Sequence, residues 1–464
     1  MVVVLAAVAI ALPAFAFEVK YGGLFRVRYQ GNNNISASEN NDNQNYIDQR
    51  LRIFFQFIAS ENLKLVTGFE VDTLWGGQGS KIRYGHRDTI DVELKHAYLD
   101  FMIPCTPVRA KVGLQPIAFM QGWVVDEDFT GVDVSATFDP ITVTAGYLAE
   151  VSGIKGTDAN VYVRAYDSPV TEWSQRVDDW YVSVQYAQGP FSAGILGFYQ
   201  DGHNQGEIGG ADYTGMADAP VGTSDNLFDL GVNLGYKMDW ANFFLNYVQN
   251  LASFDNPNGD SEDYNGFMIE GGANFFYGPF TFNVGGFVAS GDDNEDLKTQ
   301  TAAEARGFYT GFMYPQGRSH YWAEILGLGT LDNSTGFPGT GDTTNQRNTG
   351  AYQVGDAPSN IWTITAGAAW QALETTKLTF NYYYVGTMNS VASNGIYDAA
   401  TNTYTLNQTS NSIGHEFDFY LDQKVVDGLM LRLVGAYMIA NDGYTIYDDD
   451  PNPWELGARL QWSF

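Results

Sequence analysis

The stretch Trp454-Glu455-Leu456-Gly457-Ala458-Arg459-Leu460-Gln461-Trp462-Ser463-Phe464 alternates with period two along its whole length. Trp454, Leu456, Ala458, Leu460, Trp462 and Phe464 share one face, and Glu455, Gly457, Arg459, Gln461 and Ser463 share the other. A β-strand places successive side chains on opposite sides, so this pattern predicts a strand with one apolar face. Its length suits a tilted bilayer crossing, which takes roughly 9–11 residues. An apolar face rimmed by aromatics fits lipid with an interfacial girdle, and a small polar face fits a wet lumen. A soluble sandwich also uses alternating strands, so the decision rests on whether the rest of the chain repeats the pattern.

It does. Phe25, Val27 and Tyr29 alternate with Arg26, Arg28 and Gln30, and Leu51, Ile53, Phe55 and Phe57 with Arg50, Arg52 and Gln56. Further strands follow around Ile141–Tyr147, Leu230–Tyr236, Ala241–Tyr247, Trp362–Trp370 and Phe417–Leu421. Tight turns rich in Gly, Pro and Asp join one side: Asp139-Pro140, Gln188-Gly189-Pro190, Lys237-Met238-Asp239, Tyr277-Gly278-Pro279 and Val426-Asp427-Gly428. Long polar stretches join the other: residues 31–46, 152–175, 201–225, 255–263, 291–299, 330–359 and 387–411. Short turns at one end and long loops at the other are the asymmetry of outer-membrane barrels. A solenoid would show a fixed repeat length, and there is none. The expectation is an all-β, transmembrane, antiparallel up-and-down barrel with short periplasmic turns and long extracellular loops. It has about 18 strands, within roughly 16–20, with residues 306–314 and 320–328 as the weakest pair.

Composition bounds the alternatives. The 464 residues carry a net charge of −30, which argues against nucleic-acid binding. Charged residues are 17% and aromatics 15%, poor in charge for a soluble domain and rich in strand formers. Residues 1–16 are uncharged, and Ala14-Phe15-Ala16 fits a cleavage site, so a signal peptide over 1–16 and a single barrel domain over 17–464 are expected. The missing basic n-region points to a natural start upstream. After residue 17 no apolar run is long enough for a membrane helix, so a membrane role must rest on a closed barrel. The one cysteine, Cys105, excludes an internal disulfide and haem attachment through paired cysteines. The five histidines are scattered and no catalytic or metal-binding spacing occurs, so neither an enzyme nor a metal centre is expected. The acidic clusters Asp292-Asp293-Asn294-Glu295-Asp296 and Asp448-Asp449-Asp450 are of a type that takes hard cations such as Ca2+, but none has EF-hand spacing. A solvated acidic rim is the preferred reading.

In Ala14-Phe15-Ala16, the alternating strands, the turn and loop asymmetry and the terminal Trp462-Ser463-Phe464, the chain resembles Gram-negative outer-membrane porins over its whole length. Leu94-Lys95-His96-Ala97-Tyr98-Leu99-Asp100 followed by Val112-Gly113-Leu114-Gln115 is faintly similar to the alginate-export type of barrel. The porin resemblance implies passive diffusion of small hydrophilic solutes and ions across the outer membrane. It also implies Trp462 and Phe464 as a signal for the barrel assembly machinery, contact with lipid and lipopolysaccharide, and a homotrimer. The alternatives are a substrate-specific channel or polysaccharide exporter, and a barrel sleeve around a partner protein such as an electron-carrying cytochrome.

Closure of the sheet would make the first and last strands neighbours. The inward basic residues Arg26, Arg28, Arg50, Arg52, Lys64, Arg109, Lys111, Arg432 and Arg459 would then form one basic wall, unless they scatter in height and are solvated separately. The stretch Gln115–Thr130 mixes Asp126-Glu127-Asp128 with Ile117, Phe119, Met120 and Trp123. Such a mix suits a loop folded into the lumen, similar to a porin constriction loop, rather than an ordinary external loop. Acid there, and Asp229, Glu270, Glu416 and Asp418 on the far wall, would set up a transverse field favouring small polar solutes.

Overall fold

The computed structural model describes residues 18–33, 44–75, 92–151, 176–203, 224–255, 261–291, 312, 315, 320–327, 329–331, 358–398, 403–444 and 452–464. Residues 1–16 and both acidic clusters lie outside them. The strands, in chain order, begin with β1 Glu18–Asn33, β2 Gln44–Ser60, β3 Leu63–Leu74, β4 Glu93–Met102, β5 Val108–Phe119 and β6 Val125–Phe138. Then come β7 Ile141–Val151, β8 Arg176–Gln188, β9 Phe191–His203, β10 Ser224–Lys237, β11 Ala241–Asp255, β12 Ser261–Tyr264 and β13 Phe267–Tyr277. The last are β14 Phe280–Ala289, β15 Ile361–Leu373, β16 Thr376–Asp398, β17 Thr403–Val426, β18 Leu429–Ala440 and β19 Trp454–Ser463.

All pairings are antiparallel between chain neighbours, and β19 returns to β1. The short β12 pairs with β11 beyond the point where β13 stops, so β12 and β13 share one position in the ring. The barrel wall therefore has eighteen strands. Its seam runs from Leu24 opposite Ser463 to Asn33 opposite Trp454. Gly23 and Phe464 exchange backbone hydrogen bonds below it, at 2.9 and 3.1 Å. Closure leaves no open edge, which is what a sheet in lipid requires, because an unpaired N–H or C=O has no water there.

The faces follow the alternation. In β19, Leu456 is 53% exposed whereas Glu455 is fully buried. Six connections at one end are two residues long. Gly189 and Gly278 there adopt φ of 59° and 55°, a conformation glycine tolerates without strain. Phe138, Trp240, Tyr277 and Phe464 are exposed around the same end, as an interfacial aromatic girdle would be.

Several expectations need correction. Residues 387–411, read as a loop, continue the β16–β17 hairpin as a paired ribbon whose last pair is Asp398 with Thr403. Outside lipid, strand pairing no longer needs apolar alternation, so a ribbon rich in Asn, Ser and Thr looks like a loop in sequence. Residues 320–327, part of the weak strand pair, are irregular and lie inside the barrel. The inner face, moreover, is not uniformly polar. Leu148, Tyr181, Leu196, Phe198, Met268 and Phe287 are inward and buried, forming an apolar core inside the lumen.

Two inserts cover that core. β4 pairs with β5 only as far as Leu114, and β7 pairs with β6 only from Thr130 downward. Residues 115–129 thus pair solely with one another and leave the wall as a hairpin, tipped by a 3-10 turn at Met120–Gly122. So 115–130, read as a loop, is a folded-in hairpin. The second insert, residues 320–327 and 329–331, lies between β14 and β15 in the chain.

Candidate functional site

The hairpin of residues 115–129 departs at a pair of facing glycines, Gly113 and Gly131. Gly113 has φ of 126°, and a Cβ there would lie 2.9 Å from the Tyr98 Cα. Glycine is what lets the backbone turn inward at this point. One face of the hairpin is apolar and reaches the opposite wall. Phe119 packs on Tyr181 of β8 with ring centres 4.7 Å apart. Gln121 Oε1 accepts from Asn246 Nδ2 of β11 at 3.0 Å. Trp123 Nε1 donates to Glu270 Oε2 of β13 at 2.8 Å, and its ring lies 5.0 Å from that of Phe287 on β14.

Residues 320–327 and 329–331 cover the wall from β14 to β19. Ile325 and Leu326 N–H donate to the Glu416 carboxylate at 2.6 and 3.1 Å, and Glu324 N–H to Asp418 Oδ2 at 3.2 Å. Tyr383 Oη donates to Trp322 O at 2.9 Å. Arg459 Nη1 donates to Thr330 O at 3.2 Å. The two inserts meet where the rings of Trp123 and His320 stack at 3.9 Å. His320 Nδ1 donates to Gln121 O at 3.1 Å, which leaves Nε2 facing Glu270 Oε1 at 3.7 Å. Burial holds the His320 imidazole below its ordinary value, against the opposing pull of Glu270. It is therefore a neutral joint between the inserts.

The basic residues of the sequence reading separate into two groups. Arg432, Arg459 and Arg28 stand opposite one another across β18, β19 and β1, and Arg26 stands opposite Arg50 across β1 and β2. They are not a bare wall, because antiparallel pairing places carboxylates directly beside them. Arg28 binds Asp48 at 2.5 Å, Arg50 binds Asp72 at 2.6 Å, Arg52 binds Glu70, and Arg432 binds Asp422 at 2.5 Å. Among the described residues Arg26 forms no such ion pair: its buried Nε lacks a hydrogen bond, and Arg28, Arg50, Arg459 and Asp48 are the charges near it. The second group lies near the turn end, where Lys64 and Arg109 share Asp100 at 3.3 and 2.5 Å and Lys111 stands opposite Asp133.

The acids have three different places. Asp126 and Glu127 are exposed on the hairpin, while Asp128 is bound by Lys95 at 2.6 Å and His96 at 2.9 Å on β4. Glu270 holds the joint of the inserts. Asp229, Glu416 and Asp418 are fully buried, so as an open acidic lining they are a misreading. Glu416 and Asp418 grip the second insert, and Asp229 accepts from Asn250 Nδ2. Partial exposure is found instead at the β2–β3 side of the arginine strip, where the Arg50, Arg52 and Asp72 side chains keep 21%, 27% and 44% exposure while Arg28 is buried. Sequence reading missed the second insert. Its signal was Trp322, Ile325 and Leu326 within a long polar stretch, the same mix that marked the hairpin.

No family model matches the chain, and no curated protein matches it. Solved structures do. OpdK, an outer membrane protein from Pseudomonas aeruginosa, aligns over 96% of this chain and 98% of its own, with a TM-score of 0.52 and 12% identity. OpdL from the same organism gives 0.54 and 12% over 96% and 99%. A BenF-like porin from Pseudomonas fluorescens Pf-5 gives 0.51 and 12% over 96% and 98%. At such identities the likeness is one of fold: this chain has the barrel fold of outer-membrane porins.

Proposed function

We propose that this chain is a passive outer-membrane channel for small hydrophilic solutes and ions. The observation that carries the reading is a closed eighteen-strand barrel, apolar outside, whose lumen is narrowed by two inserts yet keeps a strip of arginines on β18 to β2, of which Arg50, Arg52 and Arg432 are partly exposed. The exposed carboxylates of Asp126 and Glu127 on the hairpin, together with the strip, give the passage charge of both signs. Oriented charge in a narrow aqueous path favours polar over apolar solutes and selects between ions. The lipid-facing band would contact outer-membrane lipid and lipopolysaccharide, and Trp462 with Phe464 would serve assembly. A homotrimer is the expected state, and cross-linking in detergent checks it.

The test is planar-bilayer recording of the purified chain. Stepwise ohmic currents are expected, and their absence overturns the channel reading. Under a salt gradient, replacing Arg26, Arg28, Arg50 and Arg52 together by Gln frees their partner carboxylates. It should move the permeability ratio toward cations by at least about twofold. An unchanged reversal potential removes the arginine strip from the selectivity.

A further inference from the structure

Two places on the inner wall, both on the turn side of the inserts, repeat one arrangement. On β8, β9 and β10, Gln185, Gly194 and Asn233 stand directly opposite one another. On β14, β15 and β16, Asn283, Gly367 and Asn381 do the same. In each, the central glycine leaves a space into which both carboxamides turn. A Cβ on Gly194 would collide with Gln185 Oε1 and Asn233 Oδ1, and one on Gly367 with Asn283 Oδ1 and Asn381 Oδ1. Each pair of side chains therefore flanks one point over its glycine. The second triplet continues in register through Asn274 on β13 to Asn242 on β11. Neighbouring strands are about 4.8 Å apart, so these residues form a ladder of carboxamides at that spacing. Gln185 is exposed, and Asn233, Asn242, Asn274, Asn283 and Asn381 are half-buried. Among the described residues Asn233, Asn242, Asn274 and Asn283 make no side-chain hydrogen bond.

We propose that these carboxamide–glycine–carboxamide cradles bind neutral polyhydroxylated solutes, the sugars and polyols. A hydroxyl both donates and accepts, and a carboxamide offers both functions in one planar group. A solute hydroxyl seated over the glycine donates to one amide oxygen and accepts from the other amide once that turns its nitrogen inward. A carboxylate can only accept, and it brings a charge that nothing here offsets, since β14 and β15 contain no Asp, Glu, Lys or Arg. Charged solutes have the arginine strip instead, which lies across the lumen, because β10 and β1 are on opposite sides of the ring. The lumen thus has a charged wall and a neutral hydrogen-bonding wall. Each contact replaces one made to water, so the net gain is small and the solute leaves as readily as it enters, as passage through a channel requires.

The cradles give the proposed channel a solute class and rest on that reading for their role, but their occupancy is read without a membrane. The full-length protein is held in an amine-oxide detergent, whose headgroup carries no sugar. Glucose, and gluconate as its charged counterpart, are titrated in by saturation-transfer NMR. Glucose should bind saturably. Asn283→Leu with Asn381→Leu keeps the side-chain size and removes both amides, and it should weaken glucose at least about fivefold while gluconate is unchanged. If that variant does not fold, judged by heat-modifiable migration, Gln185→Leu with Asn233→Leu reads the other cradle in the same way. No saturable glucose binding in the parent chain, equal glucose affinity in parent and variant, or an equal loss of gluconate overturns the proposal. Currents without glucose binding would remove this site and leave the channel, whereas glucose binding lost in the variant, without currents, would keep the site and remove the channel.

Discussion

Glu270 holds three partners at once. It accepts from Trp123 and Asn246 at 2.8 and 2.9 Å and faces the His320 ring. Hydrogen bonds to a charged acceptor contribute about 1.5–3 kcal/mol, so Trp123→Phe, which keeps the ring stack and loses the donor, should destabilise the folded barrel by about 1–3 kcal/mol in urea unfolding. An unchanged midpoint would mean that the bond is replaced by water. The neutral His320 adds a pH dependence of known sign. Its buried value is depressed, so below about pH 6.5 a freed imidazole takes up a proton that the buried one refuses, and the joint loses stability as pH falls. His320→Gln should remove that contribution, read as a smaller fall in unfolding midpoint from about pH 7.5 to about pH 5.5 than in the parent chain. Glu270 stood in the sequence as one of four acids expected on the far wall, with no partner named for it. Its partner Trp123 is 147 positions away, and no local pattern encodes that contact.

At the scale of the element, the hairpin of residues 115–129 tests the claim that glycines set its exit from the wall. Gly113→Ala puts a Cβ against the backbone of Ala97 and Tyr98 at a positive φ. Such strain costs about 1–3 kcal/mol, and it should lower the unfolding midpoint and raise open-channel noise as the hairpin shifts. Gly278→Ala makes the comparison, since a Cβ there meets nothing within 4 Å and the turn lies away from the lumen. Equal noise in the two variants would assign the hairpin's position to its tip contacts alone. The mixture of Asp126-Glu127-Asp128 with Ile117 and Trp123 marked this stretch in the sequence as a candidate in-folded loop. Its strand pairing was hidden because an inserted hairpin buries one face on protein and has no lipid to enforce alternation. The same reason concealed the β16–β17 ribbon.

For the whole molecule, legibility follows from the solvent. Where a strand crosses lipid, every second residue must be apolar, and β1, β2, β10, β15 and β19 were all readable from that rule. Strand count and closure followed as well, because an open edge in lipid leaves unpaired backbone groups. Wherever protein replaces lipid or water, at the inserts and the buried carboxyls, the pattern loses its meaning and contacts between distant segments decide. A pair of substitutions on β19 separates the two regimes. Leu456 faces outward between Trp454 and Trp462 and is 53% exposed, whereas Arg459 faces the lumen. Leu456→Arg places a guanidinium in hydrocarbon, at a cost near the membrane midplane of about 2–4 kcal/mol, and should sharply reduce folding into lipid vesicles by heat-modifiable migration. Arg459→Gln should insert as well as the parent chain, since its change falls in the lumen and removes no lipid-facing group. If both variants insert equally well, the face marked apolar by the terminal stretch does not meet lipid.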